Sequence, residues 1–293
     1  MKIGATYPQT ELGGDPMAVD RIGRAVEALG YDHLLMYDHV VGAVHENRDP
    51  PLWKHGPYTD KHPFHDPMVA FGYLAGITKR IELVTGVLIL PQRPTVLVAK
   101  QTADVDLLSG GRLRLGVGIG WNYVEYDALG QSFATRGERL TEQIGYLRRL
   151  WSEPLVTFEG KFDRIDRGNI IPRPKRQIPI YCGGFSEPAY RRAAELADGF
   201  IFGGALEGAL AGWQRVRQLL AEAGRPVAGF GAEYLLQDAT AGGLGLQGAL
   251  DALRQWQEAG GTHVCVVTMG RGFRTTEEHI SHLTEMRQRL AAA

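Results

Sequence analysis

The chain has 293 residues, with 32 Lys plus Arg against 33 Asp plus Glu, a formal net charge of −1 that leaves no basic excess for general nucleic-acid binding. Apolar residues make up 44% and charged residues 22%, a globular balance, and no apolar run approaches the roughly 20 residues that cross a bilayer, so no membrane partner is expected. The start reaches Pro8 and Gln9 too soon for a secretory signal, and Cys182 and Cys265 sit in apolar, strand-like contexts, which fits reduced thiols and a cytoplasmic location.

Short β-branched or aliphatic runs alternate with longer segments of helical period. Strands are expected at 2–7, 33–37, 81–89, 112–119, 178–182, 199–202, 228–235 and 263–267. Helices are expected at 15–29, 66–79, 94–108, 135–151, 186–197, 206–223, 245–259 and 276–290. Eight strands, each followed by a helix, is the count of an α/β protein built as a single (β/α)8 TIM barrel over residues 1–293. An open six-stranded sheet with helices on both faces remains the alternative, because periodicity does not reveal closure. Asp15 before Pro16 reads as a helix cap, while Gly30 and the Gly110-Gly111 pair read as helix stops. The run from Ile81 to Leu90 is apolar almost throughout, as a strand buried on both faces should be. Glycine, at 38 residues, is nearly twice its usual share of roughly 7%, which calls for many tight turns or close backbone approaches.

Two connections are too long to be plain loops. Residues 38–65, the extended loop after the second strand, carry five of the nine histidines and read as a lid over a site. Residues 152–177 hold a hairpin insertion before the fifth strand, with Val156-Thr157-Phe158 and Phe162-Asp163-Arg164-Ile165 flanking Glu159-Gly160-Lys161.

In a parallel barrel the residues just after each strand line the active site. The second strand delivers Asp38 and His39, with His39 the foremost acid–base candidate; capping of loop backbone is the plainer role for both. The third delivers Thr85, Gly86 and Val87, and the fourth Gly118, Gly120, Trp121 and Asn122. The glycines of this fourth run miss the dinucleotide fingerprint spacing. They read instead as room for a flat ligand, which Trp121 would stack on unless it is a core indole. The fifth strand ends in Gly183, Gly184 and Ser186 at a helix start, a cradle for an anion or an ordinary glycine turn, and the sixth ends in Gly203 and Gly204. No Walker A sequence, nucleophile elbow or His-Glu-x-x-His is present. His45, His55, His62 and His65 are spaced too widely for a metal set to be expected, and His279 and His282 are expected on a solvated helix face.

Four stretches together carry a family resemblance. They are Gly30-Tyr31-Asp32-His33 through Asp38-His39, Arg80-Ile81-Glu82-Leu83-Val84-Thr85-Gly86-Val87 through Gln101, Leu108-Ser109-Gly110-Gly111-Arg112 through Trp121, and Gly183-Gly184-Phe185-Ser186 with Arg191 through Gly199. The chain resembles the luciferase-like flavin and deazaflavin oxidoreductases, most of all the branch that uses coenzyme F420, with FMN-dependent monooxygenases as close relatives. The resemblance implies one barrel with the cofactor ring at the strand C-terminal ends. It implies His39 over the ring as proton donor or acceptor with Asp38 beside it. Gly86-Val87 would form a bulge under the ring, often through a non-proline cis peptide, and Gly183, Gly184 and Ser186 would hold the phosphate side. It further implies a small organic substrate, a homodimer and, for the FMN alternative, a separate reductase that supplies reduced flavin. A flavin-binding protein without turnover is the alternative of another class. Where sugar-phosphate and alcohol dehydrogenases of the branch carry tryptophan four residues after the histidine, this chain has Ala43, which argues against those substrates.

Overall fold

A computed structural model describes residues 1–53, 56–237 and 245–292. The elements run β1 (Lys2–Thr6), α1 (Pro16–Ala28), β2 (His33–Met36), α2 (Pro67–Ile77), β3 (Glu82–Thr85), β4 (Leu88–Ile89), a 3-10 turn at Leu90–Gln92, α3 (Thr95–Ser109), β5 (Leu113–Gly118), α4 (Tyr123–Ala128) and α5 (Arg136–Ser152). They continue with β6 (Val156–Glu159), β7 (Arg164–Gly168), β8 (Ile180–Gly183), α6 (Glu187–Leu196), β9 (Gly199–Phe202), α7 (Leu206–Glu222), β10 (Gly231–Gln237), α8 (Gly245–Glu258), β11 (His263–Val267) and α9 (Thr276–Ala292).

Closure decides the fold. β1 pairs in parallel with β2 on one side and with β11 on the other. From β2 the ladder passes through β3, β5, β8, β9 and β10 to β11, parallel at every step. The sheet therefore meets itself as a (β/α)8 barrel, and the open-sheet alternative falls. The strand expected over 81–89 is corrected to two pieces, β3 and β4, which both lie against β5 and are separated by the cis peptide Gly86–Val87. The hairpin before the fifth barrel strand is present as β6 and β7, paired antiparallel. Helix α4, after β5, has no counterpart among the sequence expectations.

Local chemistry sets the boundaries. Asp15 caps α1 by accepting the Met17 N–H at 2.9 Å, with Pro16 in the first turn. Asp66 caps α2 in the same way, accepting from the N–H groups of Met68 and Val69. Gly110 ends α3 at φ 74°, a left-handed position that glycine adopts without a Cβ clash. Among the described residues, no helix is long and apolar enough to cross a membrane.

One apolar layer lies between the strands and the helices, and a smaller one fills the barrel, with Leu35, Val84, Tyr181, Ile201, Leu235, Cys265 and Val267. At the strand N-terminal ends the interior is ionic. Arg114 pairs with Glu233 and at 3.3 Å with Glu82, and His33 Nε2 stands 2.6 Å from a Glu233 oxygen. Burial pushes the Glu233 carboxyl up, but Arg114 and His33 outweigh it and hold the group well below the usual carboxylate range. Burial, reinforced by the Arg114 charge, holds His263 at about 3.

One surface expectation is corrected. His279 and His282 are buried, because His279 occupies the same inward stripe of α9 as Leu283 and Met286. His279 Nδ1 meets Thr268 Oγ1 at 2.8 Å and its Nε2 lies 3.2 Å from Glu11, so the imidazole ties the loop after β1 to the loop after β11.

The His263 shift has a thermodynamic consequence. Its folded pKa of about 3 lies below the unfolded value of roughly 6.5, so the unfolded state binds the proton first. This contribution is full above pH ~6.5 and is lost as pH falls toward the folded pKa. Melting temperature followed from pH 7 to pH 4 should fall, and His263→Gln should fall less over the same window. A wild-type melting temperature that stays level across that range would contradict this.

Candidate active site

The residue after β2, Tyr37, packs against the inner cluster of the barrel. The next two side chains part company. Asp38 is buried and accepts Arg93 Nη2 at 2.7 Å on one oxygen and the Ile89 N–H at 2.9 Å on the other. Arg93 also reaches Asp66 at 3.0 Å, so this group ties the end of β2 to β4 and to the cap of α2. Burial pushes the Asp38 carboxyl up, and Arg93 offsets this only in part.

His39 has a different partner. Its Nδ1 lies 3.1 Å from Glu125 Oε2, and Glu125 is fully buried in the first turn of α4. The other Glu125 oxygen accepts the N–H groups of Val40 at 2.6 Å and Val41 at 3.1 Å, while Oε2 also accepts the Tyr58 hydroxyl at 3.0 Å. Burial and then the Glu125 charge hold the Tyr58 phenol far above its usual range, so it remains a donor. A carboxylate oxygen accepting from Nδ1 places the proton of the neutral imidazole on Nδ1 and leaves Nε2 as the acceptor nitrogen of the ring.

Asn122 holds this arrangement from below. Its side-chain oxygen caps α4 through the Val124 N–H, and its amide donates to the Tyr58 oxygen at 2.8 Å and the Val41 carbonyl at 3.2 Å. Around the imidazole, the Tyr58 ring lies at 3.7 Å between centroids, Phe64 meets it edge-on at 4.9 Å, and Trp121 stands at 6.3 Å.

The glycines at the strand ends serve a purpose the sequence did not reveal. A Cβ on Gly118 or Gly183 would stand 2.5 or 2.7 Å from a Val87 methyl, and one on Gly116 would collide with the Thr85 carbonyl oxygen. The room expected for a flat ligand is thus partly taken by Val87, which with Tyr37 and Met269 borders the inner cluster of the barrel. The Thr85 hydroxyl is spent within the sheet, donating to the Gly116 carbonyl at 2.7 Å. Gly120 packs against Ile89. Across the mouth, Gly184 (φ 144°) leads to Ser186, which precedes α6 with its hydroxyl making no capping bond, and Gly203 and Gly204 lie against the Phe185 ring. Ser186 thus stands at the N-terminus of α6, where the first N–H groups of a helix have no partner within it.

The structure brings His39, Trp121 and Asn122 together and sets Asp38 apart, on Arg93. His45 stands edge-on to Trp121, His62 accepts the Thr59 N–H, and His65 lies beside Tyr7, three separate settings; His55 is outside the described residues. Glu125, Tyr58 and Arg93 escaped the sequence reading. For Glu125 there was a signal, since Asn122-x-x-Glu125 directly after a barrel strand has the spacing of a capping pair.

Glu125→Ala would strand the Val40 and Val41 N–H groups and the Tyr58 hydroxyl, at a cost of about 3 kcal/mol. A drop in melting temperature of roughly 6–10 °C is expected, together with loss of the Nδ1–H tautomer of His39 in 15N NMR. An unchanged tautomer in the variant would show that Glu125 does not orient the imidazole.

The chain was compared with known proteins. The model of the luciferase-like monooxygenase family matches residues 3–239. An uncharacterized protein of Mycobacterium tuberculosis is 35% identical over 210 residues, covering 70% of this chain and 72% of that one. The F420-dependent glucose-6-phosphate dehydrogenase of Nakamurella multipartita is 30% identical over 194 residues, 64% of this chain and 52% of the enzyme. Among solved structures, the monooxygenase RslO1 of Streptomyces bottropensis superposes with a TM-score of 0.75 at 18% identity, covering 98% of both chains. With the family model spanning most of the barrel, the chain belongs to the luciferase-like monooxygenase family, whose members are oxidoreductases.

Proposed function

We propose that the protein uses coenzyme F420 for hydride transfer to or from a small organic substrate, with His39 as the proton donor or acceptor. The observation that carries this reading is the Glu125–His39 pair at the barrel mouth, which presents one imidazole nitrogen for proton exchange. The deazaflavin would supply the hydride chemistry, and the protein would bind, orient and exclude water. The Gly184–Ser186 and Gly203–Gly204 loops fit the phosphate side, since the Ser186 hydroxyl makes no capping bond. Val87 and Tyr37 suit the ring side as an apolar floor. Residues 40–65 would close over the site, with Val40, Val41 and Tyr58 held by the same carboxylate that orients His39. The likeness to an F420-dependent dehydrogenase supports the choice of cofactor. Ala43 is buried inside the lid, where it offers no indole to a sugar phosphate.

The second reading is an FMN-dependent monooxygenase fed with reduced flavin by a separate reductase, and membership of a monooxygenase family favours it. Titration of the purified protein with F420 and, separately, FMN distinguishes the two, with Trp121 beside His39 as fluorescent reporter. Tight binding of F420 alone is expected; preference for FMN would replace the first reading with the second. His39→Ala should keep cofactor binding and lose turnover by about 10²–10⁴-fold. Turnover within a few-fold of wild type would remove His39 from the chemistry, and stoichiometric binding without turnover on any substrate would make this a flavin-binding protein.

Two copies would pair through α2 and α3. Helix α2 has no charged residue, and Val69 (73% exposed) and Leu108 (70% exposed) stand in solvent with Tyr73 and Leu97. The uncharged face of α2 is self-complementary, as a two-fold interface requires, while α3 carries the Lys100–Asp104 pair between Leu97 and Leu108. Light scattering should give a dimer for the wild type and a monomer for Val69→Glu; a monomeric wild type would refute the pairing.

A further inference from the structure

We infer that the base of the barrel, at the end opposite His39, holds a second small-molecule site that takes an aromatic ring bearing a hydroxyl. The site is a cavity of about 350 Å³ between the loops that lead into β10 and β11, lined by Tyr181, Trp213, Phe230, Gly231, Thr262 and His263. A space of this size admits one small organic molecule. The N-terminal end of a parallel barrel ordinarily serves stability alone. Polar groups there that bond to nothing in the protein therefore call for an explanation.

Two such groups face the cavity. Tyr181 is only 7% exposed, and its hydroxyl makes no hydrogen bond among the described residues. The ring reaches from β8 past Gly199 to Gly231, where a Cβ would collide with the phenol oxygen. Glycine at that position is what lets the hydroxyl arrive at the cavity. Burial pushes the phenol up to about 12, so it is a donor, and the Arg114 guanidinium holds the ring from 4.6 Å above its centroid.

His263 supplies the second group. Its Nδ1 meets Thr262 Oγ1 at 2.7 Å. That oxygen accepts the Ala232 N–H at 2.8 Å and donates to the Ala232 carbonyl at 3.1 Å, which makes Nδ1 the donor in the contact and Nε2 an acceptor. None of the described residues engages Nε2. The imidazole stands edge-to-face with the Tyr181 ring at 5.9 Å, so donor and acceptor share one wall. A ligand hydroxyl can accept from Tyr181 and donate to Nε2, whereas an ether oxygen can only accept. The remaining wall is aromatic. Trp213 and Phe230 lie parallel to within 12°, and the Trp213 N–H is spent on the Ala259 carbonyl, so both rings offer apolar surface. Beside the bare backbone of Gly231, that wall suits a flat ring.

Titration with phenol and with anisole, followed by 15N NMR of the Trp213 indole N–H, tests this. Phenol should move that signal and bind about fivefold more tightly than anisole, the worth of one neutral hydrogen bond. Tyr181→Phe should bring the two probes within twofold of each other. Its melting temperature should match wild type, because the deleted hydroxyl has no bond to lose; if the variant melts early, the contrast between the probes on wild-type protein decides alone. Equal affinity for the two probes on wild type, or a phenol preference that survives in a well-folded Tyr181→Phe, would overturn the inference. So would a titration that shifts Trp121 and leaves Trp213 in place, or failure of phenol to bind at millimolar concentration.

Discussion

The site depends on one buried carboxylate. Glu125 is out of contact with solvent, and an ionised group in that position costs several kcal/mol unless its lone pairs are occupied. They are occupied by donors from three places: the imidazole of His39, the backbone just after it, and the Tyr58 hydroxyl nearly twenty residues further on. The dependence runs both ways, because those backbone N–H groups leave a strand end without a ladder partner and need an acceptor. Orientation of His39 and placement of the Val40–Val41 backbone and of Tyr58 are therefore one constraint. Asn122 adds to it by capping the helix that carries Glu125 while donating to Tyr58 and to the lid backbone.

The glycine surplus has its explanation inside the barrel. Side chains that must turn inward need neighbours without a Cβ, and the glycines stand beside them. Val87 leans over Gly118 and Gly183, His33 over Gly4, and Tyr181 over Gly199 and Gly231. The inward turn of Val87 coincides with the cis peptide that splits the third barrel strand, and the glycines of β5 and β8 make room for it. At the opposite end of the barrel, Arg114, Glu233, Glu82 and His33 fill the interior with a mutually compensated ionic group. The barrel interior is thus an apolar layer above a charged base.

Family membership and lid composition answer different questions. The family model spans residues 3–239, most of the barrel, so membership speaks to the class of reaction. Tyr58 and Phe64, from the segment after β2, pack their rings around the His39 imidazole. Further out, Trp53 packs edge-on against Trp121, and the Val40 and Val44 side chains are exposed. The same division accounts for Asp38 and His39. Adjacent in sequence, they are drawn to different partners, one to Arg93 as part of the scaffold and the other to Glu125 as part of the site.

The sequence by itself determined the rhythm of eight strands and eight helices, the helix caps at Asp15 and the glycine stop at Gly110, the hairpin insertion, and His39 at the end of the second strand. Those features depend on residues close together in the chain: side-chain period, backbone permissiveness, proline and cap chemistry. The tertiary structure alone decided closure of the sheet, because pairing of β1 with β11 joins residues some 260 positions apart. It alone turned Val87 inward and buried His279 where the helix face suggested water, while the break at Gly86–Val87 was implied by the family resemblance and not by the apolar run itself. It alone identified Glu125 as the partner of His39, 86 positions away. A carboxylate's neighbours in space follow from where strand ends converge on the barrel mouth, and no local pattern encodes that convergence.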